Sequence, residues 1–595
     1  MTIFNGLSLL GGLALFLFGM DVMGKSLTKT SGGKLESILG RLTSSKFKAV
    51  LLGLVVTGVI QSSSGTTVMV VGFVNSGIMQ LGQAVGIIMG ANIGTTVTSW
   101  LLSLVGVSGS NIWLQLLKPS SFAPVLAAIG IVFLMFTKNE KKHDIGSILL
   151  GFAVLMFGME TMSAAVKPLA EVPQFREIFL LFSNPILGML MGTLLTVIIQ
   201  SSSASVGILQ ALCATGTVGY SSVLPIIMGQ NIGTCITALL SSIGTGKNAK
   251  RAAFVHLYFN LLGTILFMSV FYLLNTFVHF AFMNEMANPL GIAILHSVFN
   301  VVTTLFFYPF SGVLVKLAKL TVRDSAADLE ADREFMVLDE RFLATPSFAI
   351  EQSRLLTVRM STYCLTAIKK ANQLLKNFTP EGFAEVVELE NKTDRYEDEI
   401  GKYSIRISDR DINELDSIHL NGMLHSIGDL ERIGDHAINL AESAQELANA
   451  RESFSEIAYE EVAVLQRAVE DVMKKAFKAF ATEDIDLAKE VEPLEEVIDC
   501  LHKKIKERHI RRLMHGACTP RMGFILSDIL QNLERVSDHC SNIAVYVIQG
   551  RDSGFEPHEY RLELEQTERD LFARRFETAK EIYRLPKKEQ YVTGE

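Results

Sequence analysis

Two long stretches of this chain, residues 51–117 and 178–246, contain no Asp, Glu, Lys or Arg. A bilayer asks for such segments, because a hydrocarbon core of about 30 Å takes about 20 apolar residues per helical crossing. Each stretch has room for two or three passes. The acids are lopsided to match: eight of the 62 lie in residues 1–323, and the other 54 follow. The chain therefore reads as a membrane domain followed by an acidic, soluble one. Residues 9–20 are apolar, with no Lys or Arg before them and no small-residue cleavage pattern after, so we expect a retained first transmembrane helix rather than a signal peptide. The six cysteines follow no spacing of a zinc site or a disulfide framework.

The membrane part is duplicated. "QSSS" begins at Gln61 and again at Gln200, an offset of 200 − 61 = 139. "IIMGANIGT" and "IIMGQNIGT", at Ile87 and Ile226, share that offset, as do "FGMDVM" at Phe18 and "FGMETM" at Phe157. Basic loops set the orientation. Lys25, Lys29, Lys34, Arg41, Lys46 and Lys48 mark one cytoplasmic loop, whereas its repeat mate, residues 164–177, is charge-balanced. The two copies are therefore expected in opposite orientations, about 6–137 and 145–318 within a membrane domain of residues 1–320. We expect crossings at about 6–24, 80–104, 122–137, 145–163, 222–242, 251–275 and 290–315, starting outside. The segments 49–78 and 180–217 become re-entrant hairpins, and the C-terminal domain lies in the cytoplasm.

Each copy thus buries a polar cluster at membrane depth. Broken backbone survives there only inside protein or against a water-filled cavity. Inverted repeats with broken helices are a common build of secondary transporters. A break frees N–H groups at a half-helix N-terminus, which suit an anion, and carbonyls, which with Ser and Thr oxygens suit Na⁺. With no Lys or Arg in these stretches, co-bound Na⁺ would supply the positive charge a polyanion needs. The competing reading, small residues for close helix packing, weakens once the cluster is duplicated with its Gln. Asn92 and Thr95, with their mates Asn231 and Thr234, belong either to the site or to interhelical hydrogen bonds. A smaller repeat sets His256 and Asn260 against His296 and Asn300, where we favour helix-to-helix bonding.

The paired motifs resemble the type II sodium/phosphate cotransporter family, bacterial branch, over about residues 1–320. The resemblance implies Na⁺-coupled movement of inorganic phosphate, with substrate and Na⁺ held by Gln61, Ser62, Ser63, Ser64, Gln200, Ser201, Ser202 and Ser203. Thr66 follows the first motif and Ser205 the second, so the copies are not equivalent.

Residues 321–345 read as a linker. From about 346 to 550, amphipathic patterns with few glycines predict an all-helical domain, and residues 551–595 a helix and a loose tail. "LERIGDHAINLAE" (430–442) returns as "LERVSDHCSNIAV" (533–545). Glu390/Asp394, Glu431/Asp435, Glu495/Asp499 and Glu534/Asp538 are all spaced i, i+4, which puts two carboxylates on one helical face. Such repulsive pairs would be relieved by a cation. This part resembles a PhoU domain, which implies two three-helix bundles and bound metal, with iron, manganese and zinc all open.

The expected protein is an all-α, multi-pass protein of the cytoplasmic (inner) membrane. It takes inorganic phosphate, sodium and lipid as partners, with a homo-oligomer or a regulatory protein left open and no nucleic acid expected. It is not expected to be an enzyme, since no nucleophile–base pair or phosphate-cradling GxxxxGK motif is present. The alternatives left open are a carrier or exporter of another oxyanion, and a membrane phosphate sensor with little flux.

Overall fold

The computed structural model describes residues 3–31, 45–106, 118–137, 139–213, 215–323, 335–450, 453–550 and 569–587. It divides into two compact units, Met1–Phe348 and Ala349–Glu595. Among the described residues there is no strand, only one isolated bridge between Gly219 and Met286.

Among the described residues the first unit contains fourteen α-helices before the one that runs on into the second unit. They are α1 (Ile3–Ser31), α2 (Lys46–Ile60), α3 (Ser63–Asn75), α4 (Leu81–Ser103), α5 (Pro119–Phe136), α6 (Glu140–Val166) and α7 (Pro173–Leu181). There follow α8 (Pro185–Ile199), α9 (Ser202–Cys213), α10 (Tyr220–Gly233), α11 (Cys235–Ser241), α12 (Lys247–Val278), α13 (Pro289–Phe307) and α14 (Ser311–Thr321). Among the described residues seven segments are long and apolar enough to cross a membrane: Ile3–Thr30, Leu81–Gly106, Pro119–Phe136, Lys141–Leu169, Tyr220–Ser241, Lys247–Val278 and Pro289–Phe307. Each overlaps one crossing expected from sequence. The last stops at Phe307 rather than near 315, because Pro309 has no N–H to continue the ladder, and α14 restarts at Ser311.

Glycines fix how these helices meet. A Cβ on Gly12 would stand 2.8 Å from the Met162 nitrogen and 3.0 Å from the Gly158 oxygen; one on Gly19 would stand 2.6 Å from the Gly151 oxygen. As the residue number rises along α1, that of its partner falls along α6, so the two run antiparallel. Gly12 and Gly19 are the repeat mates of Gly151 and Gly158, so each glycine faces the mate of the other. The same close approach joins α2 to α4 and α8 to α10. A Cβ at Gly90 would sit 1.9 Å from the Val50 oxygen, and at its mate Gly229, 1.9 Å from the Met189 oxygen. The glycines of the "IIMGxNIGT" blocks are thus packing residues.

Of the expected linker, residues 324–334 lie outside the described residues. The remainder folds onto the first unit. Two short 3₁₀ turns, Phe335–Val337 and Glu340–Ala344, bury Phe342 against Phe73, ring centroids 5.4 Å apart. Asn75 Nδ2 donates to Asp339 Oδ2 at 2.9 Å.

The second unit is helical: α15 (Pro346–Leu374, begun in the first unit), α16 (Pro380–Ser408), α17 (Glu414–Ala450), α18 (Glu456–Thr482), α19 (Ile485–Ala488), α20 (Val491–Met514), α21 (Pro520–Gln549) and α22 (Arg569–Ile582). α17 packs along α21 at the centre. The seam is quasi-symmetric. His436 Nδ1 pairs with Asn532 Oδ1 at 2.8 Å, and its repeat mate His539 pairs through Nδ1 with Asp429 Oδ1 at 2.7 Å. Asn439 and Asn542 donate to the same two oxygens, each at 3.2 Å.

Candidate functional site

Both Gln-Ser-Ser-Ser motifs are helix breaks. α2 ends at Gln61 with φ of 59°, and α8 ends at Gln200 with φ of 57°. Left-handed backbone is costly for a side chain other than glycine, and the chain adopts it at both equivalent positions. Each glutamine N–H returns to its helix, to the Thr57 oxygen and the Thr196 oxygen. The next helices start at once. Ser62 caps α3 by accepting from Gly65 N at 3.0 Å, and Ser201 accepts from Ala204 N at 3.2 Å. Each break therefore presents the N-terminus of a half-helix, with its unspent N–H groups, inside apolar surroundings.

The copies differ in how well their polar groups are satisfied. In the first, Gln61 is buried. Its amide nitrogen donates to the Gly58 oxygen, and its Oε1 accepts from Thr98 Oγ1 at 2.9 Å. Thr57 Oγ1 donates to Thr66 Oγ1 at 3.0 Å, and Thr66 donates to the Ser62 oxygen at 3.0 Å. In the second, Gln200 is exposed. Thr196 and Ser205, the mates of Thr57 and Thr66, are both fully buried, and neither hydroxyl has a partner. Gln230, which replaces Ala91, is buried with both amide atoms unpartnered. A buried unpaired polar group costs about 1–3 kcal/mol, so the second copy holds unspent hydrogen-bonding or ion-binding capacity that the first has closed internally.

The other expected residues distribute as follows. Ser63, Ser202 and Ser203 are buried, and Ser62, Ser64 and Ser201 are half-buried. Asn92 and Thr95 bond back within α4, to the Ile88 and Ala91 oxygens. Asn231 and Thr234 likewise bond within α10, and Asn231 Oδ1 also lies 3.4 Å from His296 Nε2. His296 Nδ1 pairs with Ser99 Oγ at 2.7 Å, so this imidazole ties α13 to α4 and α10. Asn260 and Asn300 each donate to the histidine carbonyl a turn earlier and leave Oδ1 buried without a partner. Among the described residues no hydrogen bond joins the two breaks; α4 packs on α2, α3 and α9, and so touches both hairpins. Sequence reading passed over Thr57 and Thr196, although the duplicated spacing Thr-x-x-x-Gln carried the signal.

In the second unit six of the eight expected carboxylates form two triads. Glu390 and Asp394 of α16 meet Asp435 of α17; Glu495 and Asp499 of α20 meet Asp538 of α21. Within each triad one oxygen per residue lies within 4.8 Å of the others. Glu431 and Glu534 fall outside the triads but within electrostatic reach. Burial first, and then Asp435 and Asp394, hold the Glu431 carboxyl above its ordinary range; burial and Asp499 do the same for Glu534. Burial, with Glu534 next, pushes Asp538 up to about 6. Lys503 lies 3.4 Å from Asp499 and Arg535 3.7 Å from Asp538. The crowding, the burial and the all-oxygen donor set are what a hard divalent cation would relieve.

Broken helices in a charge-free membrane core, joined to a helical domain with paired carboxylate triads, define a multi-pass carrier with a helical accessory domain. The chain matches the Na+/Pi-cotransporter family model over residues 15–164 and again over 155–288, and the PhoU domain model over 357–444 and 462–547. It belongs to the Na+/Pi-cotransporter family and carries a PhoU domain. It is 30% identical to YqeW of Bacillus subtilis over 52% of this chain and 95% of that protein, which has no described function. It is 23% identical to YjbB of Escherichia coli K12, described as a candidate inorganic phosphate export protein, over 93% of this chain and 99% of that one. It is 36% identical to rat sodium-dependent phosphate transport protein 2A, over 20% of each chain.

Proposed function

We propose that this protein couples the movement of inorganic phosphate to sodium across the cytoplasmic membrane, and that the PhoU domain adjusts the carrier from the cytoplasm. One observation carries the reading: the same left-handed glutamine opens a half-helix N-terminus in both repeats, within segments that hold no charged side chain. Free N–H groups there take phosphate oxygens. With no Lys or Arg to neutralise the substrate, Na⁺ does so, and it becomes an obligatory companion. The unpartnered oxygens of Thr196, Ser205 and Gln230 support Na⁺ ligation in the second copy rather than the first. The antiparallel packing of α1 on its mate α6 supports an inverted repeat, and with it two hairpins that enter from opposite faces.

In the PhoU domain, Glu390, Asp394 and Asp435 would hold one metal site, and Glu495, Asp499 and Asp538 the other. The ion would supply the charge that lets each triad stay ionised. Oxygen-only ligands favour manganese or iron over zinc.

A second reading concerns direction. YjbB, described as a candidate exporter, matches across both domains, so net export is the alternative on the same site. Purified protein in liposomes, loaded with labelled phosphate on either side, separates the two. The account requires net phosphate flux that follows an imposed Na⁺ gradient. A sensor would bind phosphate without moving it, and a carrier for another oxyanion would be inhibited by that ion rather than by phosphate.

A further inference from the structure

The second unit contains a cavity of about 410 Å³ that neither triad touches. Two long helices begin at its wall. Ser455 caps α18, a helix of 27 residues, and Thr519 caps α21, a helix of 30. Their side chains accept from Ala458 N and Met522 N, each at 3.3 Å. The positive ends of both helix dipoles therefore face one space. Two side chains of α20 complete the wall. Arg512 is 3% exposed, and its Nη2 donates to Glu461 Oε2 at 2.8 Å, yet its Nε has no partner. His509 is 7% exposed, and its Nδ1 also has no partner.

The local charge is positive. Glu461 is fully buried, and its two oxygens are taken by Arg508 and Arg512, each at 2.8 Å. One carboxylate against two guanidiniums leaves a net positive charge beside the cavity. A buried N–H left unpaired is costly; the Arg512 Nε–H left so in this wall is the sign of an absent acceptor, and the unpartnered His509 Nδ1, donor or acceptor by tautomer, is a second open position beside it. Phe454 lines the remaining side, so there is apolar surface for more than a bare oxyanion.

We infer that this cavity binds a phosphoryl group, either inorganic phosphate or the phosphate end of a small monoester. Its oxygens take the Arg512 Nε–H and the Ser453 and Ser455 hydroxyls, in the field of two helix N-termini. The ligand would fasten the start of α18 to the start of α21. The site goes beyond the transport reading and does not depend on it, since every lining residue lies in the second unit.

Cys518 gives a local readout. It lines the cavity, with Sγ 3.7 Å from His509 Nε2. Of the six cysteines only Cys500 and Cys518 are not buried, so Cys500 serves as the internal reference. Full-length protein in detergent is alkylated with a maleimide, and the two peptides are followed by mass spectrometry while inorganic phosphate or AMP is added. The background carries Ser62, Ser63 and Ser64 all changed to Ala, so that loss of the proposed transport site does not affect the result. A saturating ligand should slow Cys518 alkylation by about tenfold or more, on simple mass action, and leave Cys500 unchanged. Protection by phosphate at lower concentration than AMP identifies free phosphate as the ligand; the reverse order identifies a monoester. Arg512→Gln should abolish protection. Ala517→Asp tests the same point without breaking the buried ion pair, since Ala517 is exposed at the cavity wall and a carboxylate there repels the anion. Failure of both ligands at millimolar concentration, or protection that survives Ala517→Asp, would overturn the proposal.

Discussion

Gln61 does two jobs that substitution can separate, the first of which it shares with Gln200. The backbone needs a residue that tolerates positive φ, and the amide supplies hydrogen bonds. Gln61→Gly meets the first need and removes the second: Thr98 Oγ1 loses its acceptor, so the protein should insert with the break intact, lose about 1–3 kcal/mol of stability and, with the break no longer held to α4, transport about tenfold more slowly. Gln61→Val fails the first need, because a β-branched side chain resists the left-handed region by roughly 1–2 kcal/mol; it should lower the melting temperature as well. The contrast between copies makes a second forecast. Thr66→Val breaks a satisfied pair with Thr57 and should cost about 1 kcal/mol of stability. Ser205→Ala removes a hydroxyl that has no partner, so stability should hold or rise while the Na⁺ concentration for half-maximal flux increases several-fold. Equal effects on Na⁺ dependence from both changes would remove the asymmetry. The motif itself was legible in the sequence because it is duplicated. Which copy is satisfied was not, because that depends on Thr57 and Thr196, a full turn before the break, and on the single exchange of Ala91 for Gln230.

At the scale of elements, the doubled "DHxxN" pattern divides into two tasks. Asp435 and Asp538 join the triads, whereas His436 and His539, with their asparagines, bind across the seam between α17 and α21. The i, i+4 spacing exposed the carboxylate pairs, but it could not show which pairs a neighbouring helix completes; Glu431 and Glu534 share the spacing and stand outside both triads. Helix positions were legible because bilayer crossings and amphipathic faces have strong periods. The break after Phe307 rested on Pro309, whose signal was present and passed over. The triads also predict a pH dependence. Asp538 titrates near 6 when folded and at its ordinary, lower value when unfolded. Between those two values the folded state binds more protons, so stability falls as pH rises and the protonated form's advantage is gone above about pH 6. Metal-stripped protein should therefore melt higher at pH 5 than at pH 7.5, and Asp538→Asn should shrink that difference. A bound divalent ion has the opposite slope, since it needs the deprotonated ligands. Melting curves in chelator and in added manganese, at both pH values, check the two signs together. A melting temperature that manganese leaves unchanged at pH 7.5 would reduce the triads to a solvated acidic face.

For the whole molecule, the account requires an inverted duplication around two helix breaks. Ser31 and Ala170 are repeat mates, 170 − 31 = 139 positions apart. Single cysteines at these positions, in a background without native thiols, should react with an impermeant reagent from opposite sides of the membrane. Removal of the C-terminal domain should change the rate of flux and leave its Na⁺ dependence intact, because both breaks lie in the first unit. The most direct test of the central claim is phosphate flux in proteoliposomes under an imposed Na⁺ gradient, with the wild type beside two variants, Ser62–Ser64 all to Ala and Ser201–Ser203 all to Ala. The account predicts that labelled phosphate moves down the Na⁺ gradient against its own, stops when K⁺ replaces Na⁺, and is abolished in each variant although both insert normally. Phosphate movement indifferent to Na⁺, or near-normal flux from either variant, would contradict it.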